Sequence, residues 1–163
     1  ESEAAVLLEA AMGPAASPDG GSTDEAGVNG RYSVAITKNT ATSKSTAQDT
    51  SVLLFDAAPT FKALLDDMQA GIPAATIARR FHGAFVEAIV NAAKLAYSVY
   101  GVSTVALSGG VFMNRFIIEH ALAALQDEGF TVAVNRELPP NDGCISYGQA
   151  VIACAQDETT HDE

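Results

Sequence analysis

Two short stretches carry residue types and spacings that can do chemistry. In Val105-Ala-Leu-Ser-Gly-Gly-Val-Phe-Met-Asn114, a β-favouring run ends in Ser108, Gly109 and Gly110. Adjacent glycines after a strand let a ligand come close to the backbone, because no Cβ stands in the way. Where such a turn leads into a helix, the unpaired N–H groups and the helix dipole favour phosphate or another anion. The spacing matches neither the Walker pattern nor the dinucleotide fingerprint. The competing reading is a plain tight turn in which Ser108 or Asn114 satisfies backbone groups.

The second stretch is Leu138-Pro-Pro-Asn-Asp-Gly-Cys-Ile-Ser-Tyr-Gly-Gln-Ala150. Its two prolines force an extended approach. Asp142 then either caps the following helix, a contact worth about 0.5–2 kcal/mol, or offers a hard oxygen to a divalent metal. Gly148, inside that helix, costs about 1 kcal/mol against Ala and reads as a point of close helix packing. Cys144 and Cys154 form neither a CxxC pair nor a disulfide framework. Both read as small buried hydrophobes, in keeping with a reducing cytoplasm.

These turns need elements to hold them. Residues 102–107 read as a strand, 112–127 as a helix closed near Gly129, 130–134 as a strand, 139–143 as a turn and 145–156 as a last helix. Strands alternating with helices imply an α/β sheet with crossover connections, which binds ligands at the carboxyl ends of its strands. The two turns are therefore expected to share a pocket.

Upstream, Ile77, Phe81, Phe85, Ala88, Ala92, Leu95 and Val99 recur at three- or four-residue steps between Pro73 and Gly101. They draw one apolar stripe on a long helix. Residues 60–69 carry helical spacing, and 31–37 and 51–56 read as strands able to pair as a hairpin. Residues 38–50 read as a polar turn or excursion. Residues 2–12 read as a helix and 13–30, rich in Gly, Pro, Ser and Asp, as a flexible loop.

Composition narrows the possible functions. The formal net charge is -11, but six acids lie within residues 1–30 and four after Gln156. The stretch between is nearly neutral, so the acidity reads as solvated ends, including an acidic tail over 157–163. No basic patch points to nucleic acid, and no run is long and apolar enough to span a bilayer. A first residue other than Met, within an Ala-rich helical pattern, reads as a piece of a longer polypeptide.

The motifs resemble those of a known family. Leu107-Ser-Gly-Gly-Val-Phe-Met-Asn114 resembles the LSGGVFxN motif of HypF-type carbamoyltransferases. Residues 138–150 resemble their PPNDGGIxxGQA motif, Ile77-Ala-Arg-Arg-Phe-His-Gly83 their IAxRFH segment, and Glu1-Ser-Glu-Ala-Ala-Val-Leu-Leu-Glu9 their EGxAAxxLE stretch. Related tRNA threonylcarbamoyl transferases share the glycine and ND turns, but Phe81-His82 and Phe112 favour the HypF type.

The resemblance implies an α/β fold of the RNase H-like, ASKHA class, here a partial domain with a mixed sheet and flanking helices. Residues 1–12 would belong to its upstream half and 31–156 to its C-terminal lobe. It implies that Ser108, Gly109, Gly110 and Asn114 contact the nucleotide part of carbamoyl-adenylate, made from ATP, and that Glu9 approaches the same nucleotide. Asp142 would ligate a divalent metal: zinc, iron or magnesium.

The implied activity is carbamoyl transfer to the C-terminal cysteine of HypE, in cyanide ligand synthesis for nickel–iron hydrogenase. The implied partners are HypE and the upstream domains of the same polypeptide, and the implied location is cytoplasmic. The family's metal histidines lie upstream in an HxxxH motif, so His82 reads as structural and the isolated chain is expected not to turn over. The other readings are a threonylcarbamoyl transferase lobe and a non-catalytic interaction lobe. One departure is Cys144, which stands where the family has a second glycine. If that position required positive φ or a close approach of ligand, the cysteine would be strained.

Overall fold

A computed structural model of the chain describes residues 3–13, 32–40 and 51–160. The chain divides into two compact units, Glu1–Val102 and Ser103–Glu163, so the segment 31–156 runs across a unit boundary. The loop expected over 13–30 lies outside the described residues, apart from Gly13, as does 41–50 of the expected polar excursion.

The first unit holds helix α1 (Glu3–Ala11), strands β1 (Ala35–Thr40) and β2 (Ser51–Asp56), and helices α2 (Ala58–Gln69) and α3 (Ala74–Tyr100). β1 and β2 pair antiparallel, with Ala35 opposite Asp56 and Thr40 opposite Ser51. The expected hairpin forms, but its first strand lies several residues later than the alternation suggested. The cause is in the packing. The buried Tyr32 hydroxyl donates to Asp67 Oδ2 at 2.8 Å, and the Ser33 carbonyl accepts from Thr60 Oγ1 at 2.7 Å. Both residues are drawn to α2 instead of the ladder. At the other end, Lys38, Asn39 and Thr40 pair despite their polarity, because ladder bonds use only the backbone.

Asp56 Oδ1 accepts the Ala58 N–H at 2.9 Å as the chain turns into α2, and Pro59 stands in the first turn, where its missing N–H costs nothing. α2 then turns polar residues inward. Thr60 and Asp67 are both fully buried, and the Arg80 guanidinium from α3 pairs with Asp67 Oδ2.

α3 runs 27 residues between its caps Pro73 and Gly101, and Gly101 ends it at φ 69° and donates to the Tyr97 carbonyl. Its buried band is wider than the stripe, taking in Ala78, Gly83, Ala84, Val86, Val90 and Ala93. Small side chains on several faces let neighbours approach on each. Val99, at the stripe's end, is exposed. Phe81 packs between Phe61 and Phe85, with ring centroids 5.9 and 5.0 Å away. His82 is buried and its Nδ1 lies 2.8 Å from the Ala78 carbonyl, one helical turn back, which is the structural role expected of it. Arg79 donates to the Met12 carbonyl at 2.9 Å and fastens the end of α1.

The second unit holds β3 (Thr104–Leu107), α4 (Arg115–Asp127), β4 (Thr131–Val134) and α5 (Ile145–Thr160). β3 and β4 pair in parallel, Thr104 opposite Thr131 through Leu107 opposite Val134. Parallel neighbours need a crossover, and α4 supplies it. Leu107, Ile117, Ala121, Leu125 and Phe130 are its buried apolar residues. On the exposed side Glu119 bonds to Arg115 at 2.7 Å, and that hydrogen bond, with its charge, holds the guanidinium further above its ordinary pKa.

Three expectations about the last helix change. α5 continues past Gln156, so Asp157 and Glu158 are helical. Cys154 is exposed and Cys144 only half-buried, against the expectation that both are core residues. Gly148 shows no close packing among the described residues, where a Cβ on it would meet nothing within 4 Å. Apolar composition reports what a helix could bury, while burial needs a facing element. Among the described residues no helix is long and apolar enough to cross a membrane.

Candidate functional site

β3 ends at the buried Leu107, and the chain emerges as the exposed Ser108. Gly109 follows at φ 108° and ψ 161°, a region open essentially to glycine alone. Gly110–Met113 forms a single 3-10 turn, and α4 begins only at Arg115. The helix expected from Phe112 is thus delayed by three residues. Asn114 sets the delay: it is extended, and its Oδ1 caps α4 by accepting the Ile117 N–H at 3.0 Å. This is the plain structural role weighed for Asn114, and it uses the side-chain oxygen. Asn114→Ala is therefore expected to cost about 0.5–2 kcal/mol, read as a lower urea midpoint with no nucleotide present.

The second turn meets the first. The Gly109 N–H donates to the Pro140 carbonyl at 2.7 Å. Asn141 then opens a short 3-10 turn, Asp142–Cys144. Its Oδ1 accepts the Gly143 N–H at 3.1 Å, its carbonyl accepts the Cys144 N–H at 3.2 Å, and its Nδ2 donates to Met113 Sδ at 3.0 Å. The cap at this turn is thus Asn141, in place of the capping role weighed for Asp142. Asp142 is exposed. Among the described residues, a Cβ on Gly109 or Gly110 would meet nothing within 4 Å, which leaves room for a ligand beside the glycine turn.

Cys144 adopts its place without backbone strain, because no described residue other than glycine has positive φ. A conflict with the family's glycine through positive φ therefore does not arise. Asp142 fits a metal as one oxygen donor of several. Among the described residues no three His, Cys, Asp or Glu side chains group as a metal cage, so further ligands would have to come from elsewhere. Glu9 lies half-buried on α1, in the first unit. It is not among the residues that the two turns of the second unit bring together.

Sequence reasoning passed over Met113 and the linking role of Asn141. An Asn ahead of a helical turn is a capping signal and could have been found. The thioether contact had no signal in the sequence.

Residues 1–149 match the family model described as carbamoyltransferase, Kae1-like domain, second subdomain. The chain belongs to this family. It is similar to carbamoyltransferase HypF2 of Cupriavidus necator, 38% identical over 90 residues, which are 55% of this chain and 11% of that protein. It is also similar to carbamoyltransferase HypF of Synechocystis sp., 41% identical over 73 residues, 45% of this chain and 9% of that one. The chain spans about a tenth of the length of these relatives.

Among solved structures, full-length HypF in the phosphate- and nucleotide-bound form matches with a TM-score of 0.68 and 28% identity, over 94% of this chain and 17% of that one. HypF of T. kodakarensis matches with a TM-score of 0.63 at 24% identity, a likeness of fold. The α/β architecture of small sheets and flanking helices is that of a partial Kae1-like domain, and the family match favours the HypF type over the threonylcarbamoyl transferases.

Proposed function

We propose that this chain is the part of a cytoplasmic HypF-type enzyme that holds carbamoyl-adenylate while its carbamoyl group passes to the C-terminal cysteine of HypE, a step in making the cyanide ligands of nickel–iron hydrogenase. The observation that carries the reading is the 2.7 Å bond from the Gly109 N–H to the Pro140 carbonyl. It joins an open glycine turn to the turn bearing Asp142 at the carboxyl end of β3, the end of the strands where α/β sheets bind ligands.

In this reading Ser108 and the backbone of Gly109 and Gly110 lie against the nucleotide, near the N-terminus of α4, whose dipole favours the phosphate. The Asn114 side-chain oxygen caps that helix, so its contribution is to aim the N-terminus. The HypE thiolate attacks the carbamoyl carbon. A C–S bond forms, the bond from that carbon to the phosphate oxygen breaks, and AMP leaves with the electron pair. Asp142 would give one oxygen to a divalent cation (zinc, iron or magnesium), whose chemistry is to neutralise charge on phosphate or carbamoyl oxygen. The other ligands, and Glu9 if it reaches the nucleotide, would join in the assembled protein with its upstream domains.

Calorimetry with ATP and magnesium tests the reading. The wild-type chain should bind, and Asp142→Ala should weaken binding in magnesium by at least about tenfold, a loss seen even when only the outer partners of a metal ligand are removed. Equal affinity in the two proteins would remove Asp142 from the site. Absence of binding to either would favour a non-catalytic interaction lobe.

A further inference from the structure

We propose that Asn141 is a positioning residue: through Met113 it clamps the turn bearing Asp142 to the glycine turn, so that the two move as one surface. The inference deepens the reading above and rests on it for its functional meaning, but its physical content stands on the geometry of the second unit alone.

Each end of the Asn141 side-chain amide has a local partner. Oδ1 accepts from the Gly143 N–H. This contact fixes which end of the amide is oxygen, so Nδ2 must face Met113 Sδ. Met113 closes the 3-10 turn that starts at Gly110. The side chain therefore reaches from the second turn to the far end of the first, while the Gly109 N–H reaches back to Pro140 from its near end.

Two links in opposite directions, one backbone and one side chain, resist rotation of either turn where a single link would act as a pivot. Gly143 adds a steric constraint, because a Cβ there would stand 3.0 Å from Asn141 Oδ1 and press on the amide. Asp142 lies between the residue that forms the clamp and the glycine that leaves room for it. Its carboxylate is thereby presented at a set place relative to the glycine turn, which a substrate carrying an anionic group and a cation would need.

The test separates clamping from local capping. Asn141→Ser keeps an oxygen that can accept from Gly143, a good cap, but lacks the amide that reaches Met113. Met113→Leu keeps the apolar bulk and removes the sulfur acceptor. Met113 is largely exposed, so this variant should keep its fold, which circular dichroism would verify.

Amide hydrogen exchange at Gly109, followed by NMR in the full chain, reports the opening of the bond to Pro140. Each variant should speed that exchange by about 2- to 10-fold, the scale of one hydrogen bond. The double variant should be no faster than the faster single one, because both changes break the same link. Wild-type exchange at Gly109 in either variant, or additive effects in the double, would overturn the clamp. No nucleotide enters this measurement, so its outcome is independent of whether ATP binds.

Discussion

Replacing Asp67 by Ala should destabilise the first unit by about 3–5 kcal/mol, the range for removing one partner of a buried ion pair. Asp67 is fully buried on α2, and its Oδ2 takes both the Tyr32 hydroxyl and the Arg80 guanidinium. Without the carboxylate, Arg80, whose side chain is only 19% exposed, keeps its charge in a place that water reaches poorly. Tyr32 loses its acceptor in the same step. Because Tyr32 precedes β1 and Arg80 lies on α3, the loss acts at the point where the hairpin, α2 and α3 are tied together. Urea unfolding followed by far-ultraviolet circular dichroism would show the lower midpoint. Tyr32→Phe, which removes one donor and keeps the ring, should cost less, about 1.5–3 kcal/mol. An Asp67→Ala midpoint within error of wild type would show that the knot contributes nothing net.

Gly109→Ala should be the most damaging single change in the glycine turn, at about 1–3 kcal/mol. The cause is the backbone conformation and not crowding. A Cβ would meet none of the described residues within 4 Å, but φ 108° with ψ 161° is a conformation that an L-residue does not hold cheaply. Relief would come by turning the peptide away, which breaks the bond from its N–H to the Pro140 carbonyl. Gly110→Ala is the control. Its φ lies outside the left-handed region and its surroundings are also open, so its stability should stay within about 0.5 kcal/mol of wild type. Denaturation midpoints of the two variants should therefore differ clearly. Equal midpoints would mean that the turn relaxes without strain.

Much of this molecule was legible from spacing alone. The periodic stripe from Ile77, with Pro73 before it and Gly101 after it, fixed α3 because a helix needs only local bonds, a start and a stop. The two glycine- and proline-marked turns, and the helix and strand between them, were readable for the same local reason. The motifs within them also pointed to the family, which the match over residues 1–149 bears out. What the residues could not declare was partnership. Thr60 and Asp67 look like surface positions of a polar helix, and they are buried because Tyr32, Ser33 and Arg80, distant in sequence, supply their hydrogen bonds. Cys154 looks like core and is exposed, because the described residues bring no element over it. Asn114 and Asn141 had the right chemistry for ligand contact, yet each caps a helical turn. Local propensity and period are written in neighbouring residues. Burial, the partner of a polar atom, and the meeting of Gly109 with Pro140 depend on chain segments that only folding brings within hydrogen-bonding distance.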